Sequence, residues 1–276
     1  MHPAGSDPPI RATRLLRFDG VTGEPADDAV ACEEPLEIRL GDTPLAVVMR
    51  TPGHDEELAT GFLVTERVVR SLADVAGVER GAPSGGRRAQ GNTVRVTLRP
   101  GVEVDLEALR RNLYASSSCG VCGKATLANA LAVAPPLDDD LRLPAAFFHD
   151  LPERLRKAQA AFERTGGLHA AGLFSGDGEL VAVREDVGRH NAVDKVVGFA
   201  ARSERLPLTG HVLLVSGRIS FEIVQKALAA RVPVLAAVSA PSSLAIELAT
   251  AARMTLVGFL RGRGFNVYGR SERVIT

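Results

Sequence analysis

HVLLVSGRISFEIVQKALAARVPVLAAVSAPSSLAIELATAARMTLVGFL, residues 211–260, decides the fold class. His211 to Val215, Val234 to Val238 and Thr255 to Leu260 are short, β-branched apolar runs that read as strands. Between them, Ile219, Ile223, Ala227 and Leu228 recur at helical spacing, as do Leu244, Leu248 and Ala251. Strand–helix–strand–helix–strand predicts an α/β unit with parallel strands and helical crossovers. In such a sheet, ligands bind beyond the carboxyl ends of the strands. The three strands run into Ser216-Gly217-Arg218-Ile219-Ser220, Ser239-Ala240-Pro241-Ser242-Ser243 and Arg261-Gly262-Arg263-Gly264. The first two open helix N-termini, whose free N–H groups suit anions.

Charge sharpens that expectation. From residue 249 onward stand five arginines, Arg253, Arg261, Arg263, Arg270 and Arg273, against one acid, Glu272. Together the loops point to a phosphorylated ligand such as a nucleotide. The plainer alternative makes the serines ordinary helix caps and the arginines solvated surface. No Walker A sequence occurs, nor a Gly-x-Gly-x-x-Gly between a strand and a helix, which disfavours an ordinary P-loop or Rossmann site.

Working outward, Leu168 to Phe174 and Leu180 to Val183 flank Gly176-Asp177-Gly178 and read as a hairpin. Arg184 to Lys195 (REDVGRHNAVDK) is dense in ionisable groups at a strand-to-helix junction. It reads either as an edge of the same crevice or as a capped helix start with Asp186 as N-cap. Val193, Val196, Val197 and Ala200 stripe the helix that follows. Upstream, Pro144 opens a helix that Gly166-Gly167 closes. Cys32 to Leu40 and Leu45 to Met49 suggest two strands around a Gly41-Asp42 turn. His54 heads a helix with Asp55, Glu56 and Glu57 in its first turn, and reads as solvated. Val94, Val96 and Leu98 alternate with polar residues as a half-buried strand, and Asp105 caps a short helix to about Leu113. Residues 1–12 read as disordered.

Composition bounds the whole. A chain of 276 residues with 45% hydrophobic and 24% charged residues can fold around a full core. Thirty-three Lys plus Arg against 33 Asp plus Glu argue against a bulk nucleic-acid or membrane-surface binder. Aromatics at 4%, with no Trp, argue against stacking platforms for single strands. Three cysteines make no disulfide scaffold. Met1 to Pro9 lacks the apolar run of a signal peptide, and no apolar stretch reaches bilayer length. The expectation is a cytoplasmic protein with reduced thiols.

Ser116-Ser117-Ser118-Cys119-Gly120-Val121-Cys122-Gly123-Lys124 carries the thiol chemistry. A thiolate ahead of a helix, beside Lys124, has a lowered pKa and a raised reactive fraction. A zinc site would need two more ligands, and no second pair has ligand spacing. A zinc deaminase would need His-x-Glu with Pro-Cys-x-x-Cys, but His169-Ala170-Ala171 has Ala in place of the acid, and Ser precedes Cys119. A thioredoxin-like dithiol fits a mid-chain Ser/Gly loop poorly. A thiol that carries a group, such as a persulfide, fits, with the second thiol assisting release by exchange. An inert pair is the remaining option. Cys32 reads as a buried core cysteine.

Ser118 to Gly123 and Arg184 to Lys195 together resemble the formate dehydrogenase accessory FdhD family. Glu33 to Ile38, Thr51 to Gly53, Glu56 to Leu63, Leu168 to Ala171, Val215 to Arg218 and Asn266 to Tyr268 add to the likeness, over about residues 13–273. Leu168 stands where Thr is more usual. The resemblance implies a cytidine-deaminase-like layered α/β fold, with α+β elements in a smaller N-terminal part. Residues 13–113 would form that part, 114–142 the mobile cysteine loop, short helix and linker, and 143–276 the C-terminal α/β part. It implies a sulfurtransferase. Cys119 would take persulfide sulfur from a cysteine desulfurase, and Cys122 would assist. The acceptor would be the molybdenum (or tungsten) bis(molybdopterin guanine dinucleotide) cofactor, before its insertion into the formate dehydrogenase catalytic subunit. Phe259, Leu260, Arg261, Gly262, Arg263 and Gly264 map onto the cofactor segment. Ser216, Gly217, Arg218, Ser239 and His190 complete the set expected to hold the cofactor, which a guanine nucleotide would mimic. The resemblance also implies a homodimer, with no nucleic acid and no membrane as partner. Two rivals are a cofactor-binding chaperone whose cysteines only shape the site and a zinc-stabilised nucleotide-binding protein.

Overall fold

Six strands form the larger sheet of the computed structural model, which describes residues 8–69, 71–81, 91–105 and 135–276. In spatial order they are β13 (Gly264–Gly269), β12 (Thr255–Arg261), β11 (Val234–Ala237), β10 (His211–Val215), β8 (His169–Ser175) and β9 (Leu180–Asp186). β10, β11 and β12 pair in parallel, with Val212 opposite Val234 and Val234 opposite Thr255. The expected α/β unit over 211–260 is therefore present. The strands at both flanks are antiparallel, so the sheet is mixed.

Both faces of this sheet are covered, which is why β10 and β11 are apolar throughout rather than alternating. On one face α4 (Arg189–Arg202), α5 (Phe221–Ala229) and α6 (Ser243–Ala251) pack Val193, Val197, Ile223, Ala227 and Leu248 against Leu173, Leu213, Val215, Leu235 and Leu256. On the other, Phe148, Leu151 and Leu155 cover Phe174, Val212, Leu214, Val234 and Val257. Each such side chain contributes roughly 1.5–3 kcal/mol by leaving water.

Leu151 and Leu155 sit on a helix that is shorter than its sequence pattern indicates. In place of one helix from Pro144 to Gly166 there is a 3₁₀ turn, Ala145–Phe148, then α2 (Leu151–Lys157) and α3 (Ala160–Thr165). Pro152 starts a new first turn, and Gln159 leaves helical geometry at φ −87°, ψ 71°. Gly166 ends α3 at φ 63°, in the left-handed conformation its type favours. Pro144 itself lies in β7 (Leu143–Pro144), which pairs with β14 (Val274–Ile275).

A second sheet orders β4 (Thr43–Arg50), β3 (Glu34–Leu40), β6 (Thr93–Leu98) and β5 (Val75–Arg80). The β3–β4 hairpin and the half-buried β6 are the strands expected there. Leu36, Ile38, Val94 and Val96 meet Leu58, Phe62 and Leu63 of α1 (Asp55–Thr65). The opposite side of α1 lies on α4, and the approach is closer than any side chain allows. A Cβ on Gly61 would stand 1.8 Å from the Asp194 carbonyl oxygen, and one on Gly198 1.8 Å from that of Glu57. Two glycines, one on each helix, thus join the small sheet to the large one.

β1 (Ile10–Phe18) and β2 (Gly23–Ala31) form a hairpin in continuous register from Ile10–Ala31 to Phe18–Gly23. Its strand begins at Ile10, inside the stretch whose composition suggests disorder. The hairpin escapes sequence pattern because GEPADDAVA holds a proline and three acids and few of its residues are buried. Asp19 closes the turn by accepting from the Val21 and Thr22 amides. Cys32, just beyond, is buried as expected. No helix among the described residues is long and apolar enough to cross a membrane.

Candidate functional site

The three loops of the sequence reading meet at one edge of the sheet and are tied to one another. The Ile219 amide donates to the Ala240 carbonyl, and the Ser242 amide to that of Ile219, bridging the loops after β10 and β11. The Phe259 amide donates to the Ser239 carbonyl, adding the third loop. Ser216 fastens the far side: its amide donates to the Ala170 carbonyl and its hydroxyl accepts from the Ala170 amide, each 2.9 Å. Ser216 and Ser239 thus hold the loops in register, the latter through its backbone.

The residues at 259–264 divide. Phe259 sits at a break in the β12–β13 register with φ 55°, a conformation that costs a non-glycine residue about 1 kcal/mol or more, and the residue is 43% exposed. A strained backbone that presents an aromatic side chain to solvent beside these loops is suited to stacking on a planar base. Leu260 points the other way, fully buried in the core. Arg261, Gly262, Arg263 and Gly264 form the exposed hairpin tip, Gly262 at φ 56°. Among the described residues, neither Arg261, Arg263 nor the exposed Arg218 makes an ion pair with a carboxylate. Gly217 lies between the rings and chains above it: a Cβ there would be 3.5 Å from His169 Nδ1 and 3.6 Å from Arg189 Cδ.

The charged segment 184–195 proves mostly structural. Arg184 donates to Glu57, its Nη2–Oε1 contact 2.8 Å. Glu185 accepts from the Ala161 and Phe162 amides of α3. Asp186, fully buried, pairs with Lys195 at 2.7 Å and accepts from Thr51 N, Gly188 N and Asn191 Nδ2. It does not cap α4, whose N-cap is Gly188 with no side-chain bond. Asn191 also reaches the Met49 carbonyl, and Lys195 that of Thr51. Asp194 pairs with Lys226 at 2.8 Å and accepts from Thr65. The segment therefore locks the small sheet and α1 to the large sheet.

Two residues of it stand outside that lock. His190 is expected at the cofactor, but its charged neighbours are Glu222 and Lys226 of α5, Glu66 and Arg189. Burial, then the charges of Arg189 and Lys226, push its pKa down to about 4. Its Nε2 is sealed from solvent with no hydrogen-bond partner among the described residues. The Nε of Arg189 is likewise sealed and without a partner among the described residues. Beside Arg189, His169 is held below its ordinary value by burial and then by the Arg189 charge.

Sequence reading did not single out His169 and Arg189, although both lie in quoted motifs. It also took the first-turn acids of α1 as dipole partners, whereas each has a cation. Asp55 holds Arg50 and Arg80, Glu56 holds Arg202, and Glu57 holds Arg184 and His54. Burial alone would raise the Glu57 pKa, but Arg184 and His54 outweigh it and pull it to about 2. His54 is paired with Glu57 at 3.2 Å rather than merely solvated. Ala171, where a deaminase would hold its acid, lies in the apolar core. Cys119, Cys122 and Lys124 lie outside the described residues. No cluster of metal-ligand residues occurs among the described ones.

The FdhD/NarQ family model matches residues 31–275. The chain belongs to the FdhD/NarQ family. Curated FdhD relatives span it nearly end to end. The sulfur carrier protein FdhD of Streptomyces coelicolor is 54% identical, covering 95% of this chain and 94% of its own length. That of Mycobacterium tuberculosis is 51% identical, over 96% and 97%. The one from Sulfolobus acidocaldarius is 46% identical, over 96% and 98%. Among solved structures, a candidate formate dehydrogenase accessory protein from Desulfotalea psychrophila superposes with a TM-score of 0.76. It covers 97% of this chain and 100% of the other at 24% identity, and so shares the fold. The matched range contains both motifs, at 118–123 and 184–195, that carried the resemblance.

Proposed function

We propose that this FdhD/NarQ protein is a sulfurtransferase that prepares the molybdenum bis(molybdopterin guanine dinucleotide) cofactor for formate dehydrogenase. The observation that carries the reading is the edge where three hydrogen-bonded loops carry Arg218, Arg261 and Arg263, without carboxylate partners among the described residues, together with the exposed Phe259. The curated relatives are named as sulfur carriers, and the paired cysteines supply the chemistry that name requires. Arginines meet the phosphates of the dinucleotide by charge-assisted hydrogen bonds, and Phe259 stacks on the guanine.

Sulfur moves by thiol–disulfide exchange. The Cys119 thiolate attacks the terminal sulfur of a persulfide on a cysteine desulfurase. The new S–S bond leaves Cys119 persulfidated and releases the donor's own thiolate. In the second step the Cys122 thiolate attacks Cys119 Sγ. A Cys119–Cys122 disulfide forms, two electrons pass to the outer sulfur, and it leaves as sulfide for the metal of the bound substrate. A cellular dithiol then reduces the disulfide. In this reading the setting is the cytoplasm, the assembly a homodimer and the recipient the formate dehydrogenase catalytic subunit. The layered sheet with Ala171 in place of an acid supports reading the fold as deaminase-like with that chemistry gone.

Complementation of a host that lacks its own carrier tests the proposal. Cys119→Ala should abolish formate dehydrogenase activity while the purified variant keeps the wild-type thermal midpoint. Full activity would overturn the assignment in favour of a chaperone that holds the cofactor without handling sulfur.

A further inference from the structure

Arg189 stands apart from the buried and half-buried cations of its own segment and from Lys226. Arg184, Lys195 and Lys226 each hold a carboxylate, Glu57, Asp186 and Asp194 respectively. Arg189, half-buried at the head of α4, has no carboxylate within 4 Å among the described residues, and its Nε is sealed without a partner. Glu222 is near enough to feel its charge but does not pair with it. A buried guanidinium donor without an acceptor costs roughly 1–3 kcal/mol or more, so the fold keeps it at a loss. Its side chain faces His169 across Gly217, the loop glycine whose missing Cβ would touch both. Gly217 has no positive φ, so nothing in the backbone demands glycine there. What its bare Cα leaves is room.

We infer that Arg189 and His169, across Gly217, seat a phosphate of the nucleotide whose base lies on Phe259. The inference rests on the guanine-nucleotide reading and deepens it. Phe259 lies at the register break near the end of β12 and Gly217 follows β10, two strands away, so base and phosphate would be about 10 Å apart by strand spacing. A nucleoside diphosphate spans that gap. The neutral imidazole donates to a phosphate oxygen, and the guanidinium supplies the charge. Arg218 beside them and Arg261 and Arg263 at the hairpin tip remain for the rest of the dinucleotide.

Calorimetric binding of guanosine, GDP and inorganic pyrophosphate to the full chain tests this. The wild type should bind GDP more tightly than guanosine. Arg189→Gln should weaken GDP and pyrophosphate at least tenfold and leave guanosine unchanged. Gly217→Ala, whose methyl meets only ordinary contacts and so leaves the fold intact, should do the same by filling the space. Phe259→Ala should weaken guanosine and GDP by the same factor and spare pyrophosphate. Pyrophosphate binding that is lost in Arg189→Gln, with no guanosine binding at all, would sustain the phosphate seat and remove the guanine reading. The seat is overturned if both variants bind GDP like the wild type, if GDP binds no better than guanosine, or if the wild type binds neither GDP nor pyrophosphate.

Discussion

His190 is held neutral by burial and by the charges of Arg189 and Lys226, which outweigh Glu222 and Glu66. Its pKa of about 4 lies below the 6.5 of an unfolded histidine, so between those values the unfolded chain binds the extra proton. Stability therefore falls as pH drops from 6.5 toward 4, by about 2 kcal/mol at pH 5 from this residue. His190→Asn should flatten the urea-denaturation stability between pH 7 and pH 5 by that amount. An unchanged slope would show that His190 titrates normally. Phe259 carries the opposite kind of strain. Phe259→Gly relieves the left-handed backbone, so the thermal midpoint should hold or rise, while guanosine affinity falls about tenfold or more with the loss of a stacking surface. A fall in both would make Phe259 an ordinary packing residue. At this scale the sequence announces Cys119, Cys122 and Arg261 by type and spacing. It does not announce Arg189, because being unpaired is a property of the neighbourhood: Arg184 and Arg189 look alike in a string, and only the fold gives one of them Glu57.

Helix α4 was legible for the same reason that Arg189 was not. Val193, Val196, Val197 and Ala200 recur at helical spacing, and all four are fully buried. The closeness of α1 to α4 was invisible, since Gly61 and Gly198 are far apart in sequence and either could pass for a tolerated helix glycine. Gly198→Ala must push the Glu57 carbonyl away and should destabilise the protein by about 3 kcal/mol, read from the urea midpoint. A cost near that of a surface alanine would mean the helices separate freely. The Asp194–Lys226 pair beneath them makes the same junction polar and specific. Burial works against the Lys226 charge, yet Asp194 and Glu66 outweigh it and hold its pKa above the ordinary value. Lys226→Met leaves Asp194 buried and alone, at roughly 3–5 kcal/mol. Adding Asp194→Leu should restore a large part of that loss. If the double variant is no better than the single one, the pair acts through something other than charge. The β1–β2 hairpin is the element that pattern could not find, because its strands bury too little to leave an alternation.

Across the whole molecule, the parallel strands of 211–260 bring three loops to one edge, and the segment 184–195 clamps the N-terminal sheet beside it. The α/β core follows from short apolar runs covered on both faces, which is why it could be read from the chain alone. The division of labour in the charged segment could not, since seven ionisable side chains in twelve residues look equally available before their partners are placed. On the proposed reading, one edge holds the nucleotide and one pair of thiols carries the sulfur. Mass spectrometry of the Cys119 peptide, after incubation with a cysteine desulfurase and cysteine in the absence of reductant, tests this most directly. Sulfur carriage predicts one added sulfur atom on Cys119, removed by reductant and absent without the desulfurase. An unmodified Cys119, on protein that still binds GDP, would contradict it and leave a chaperone for the cofactor.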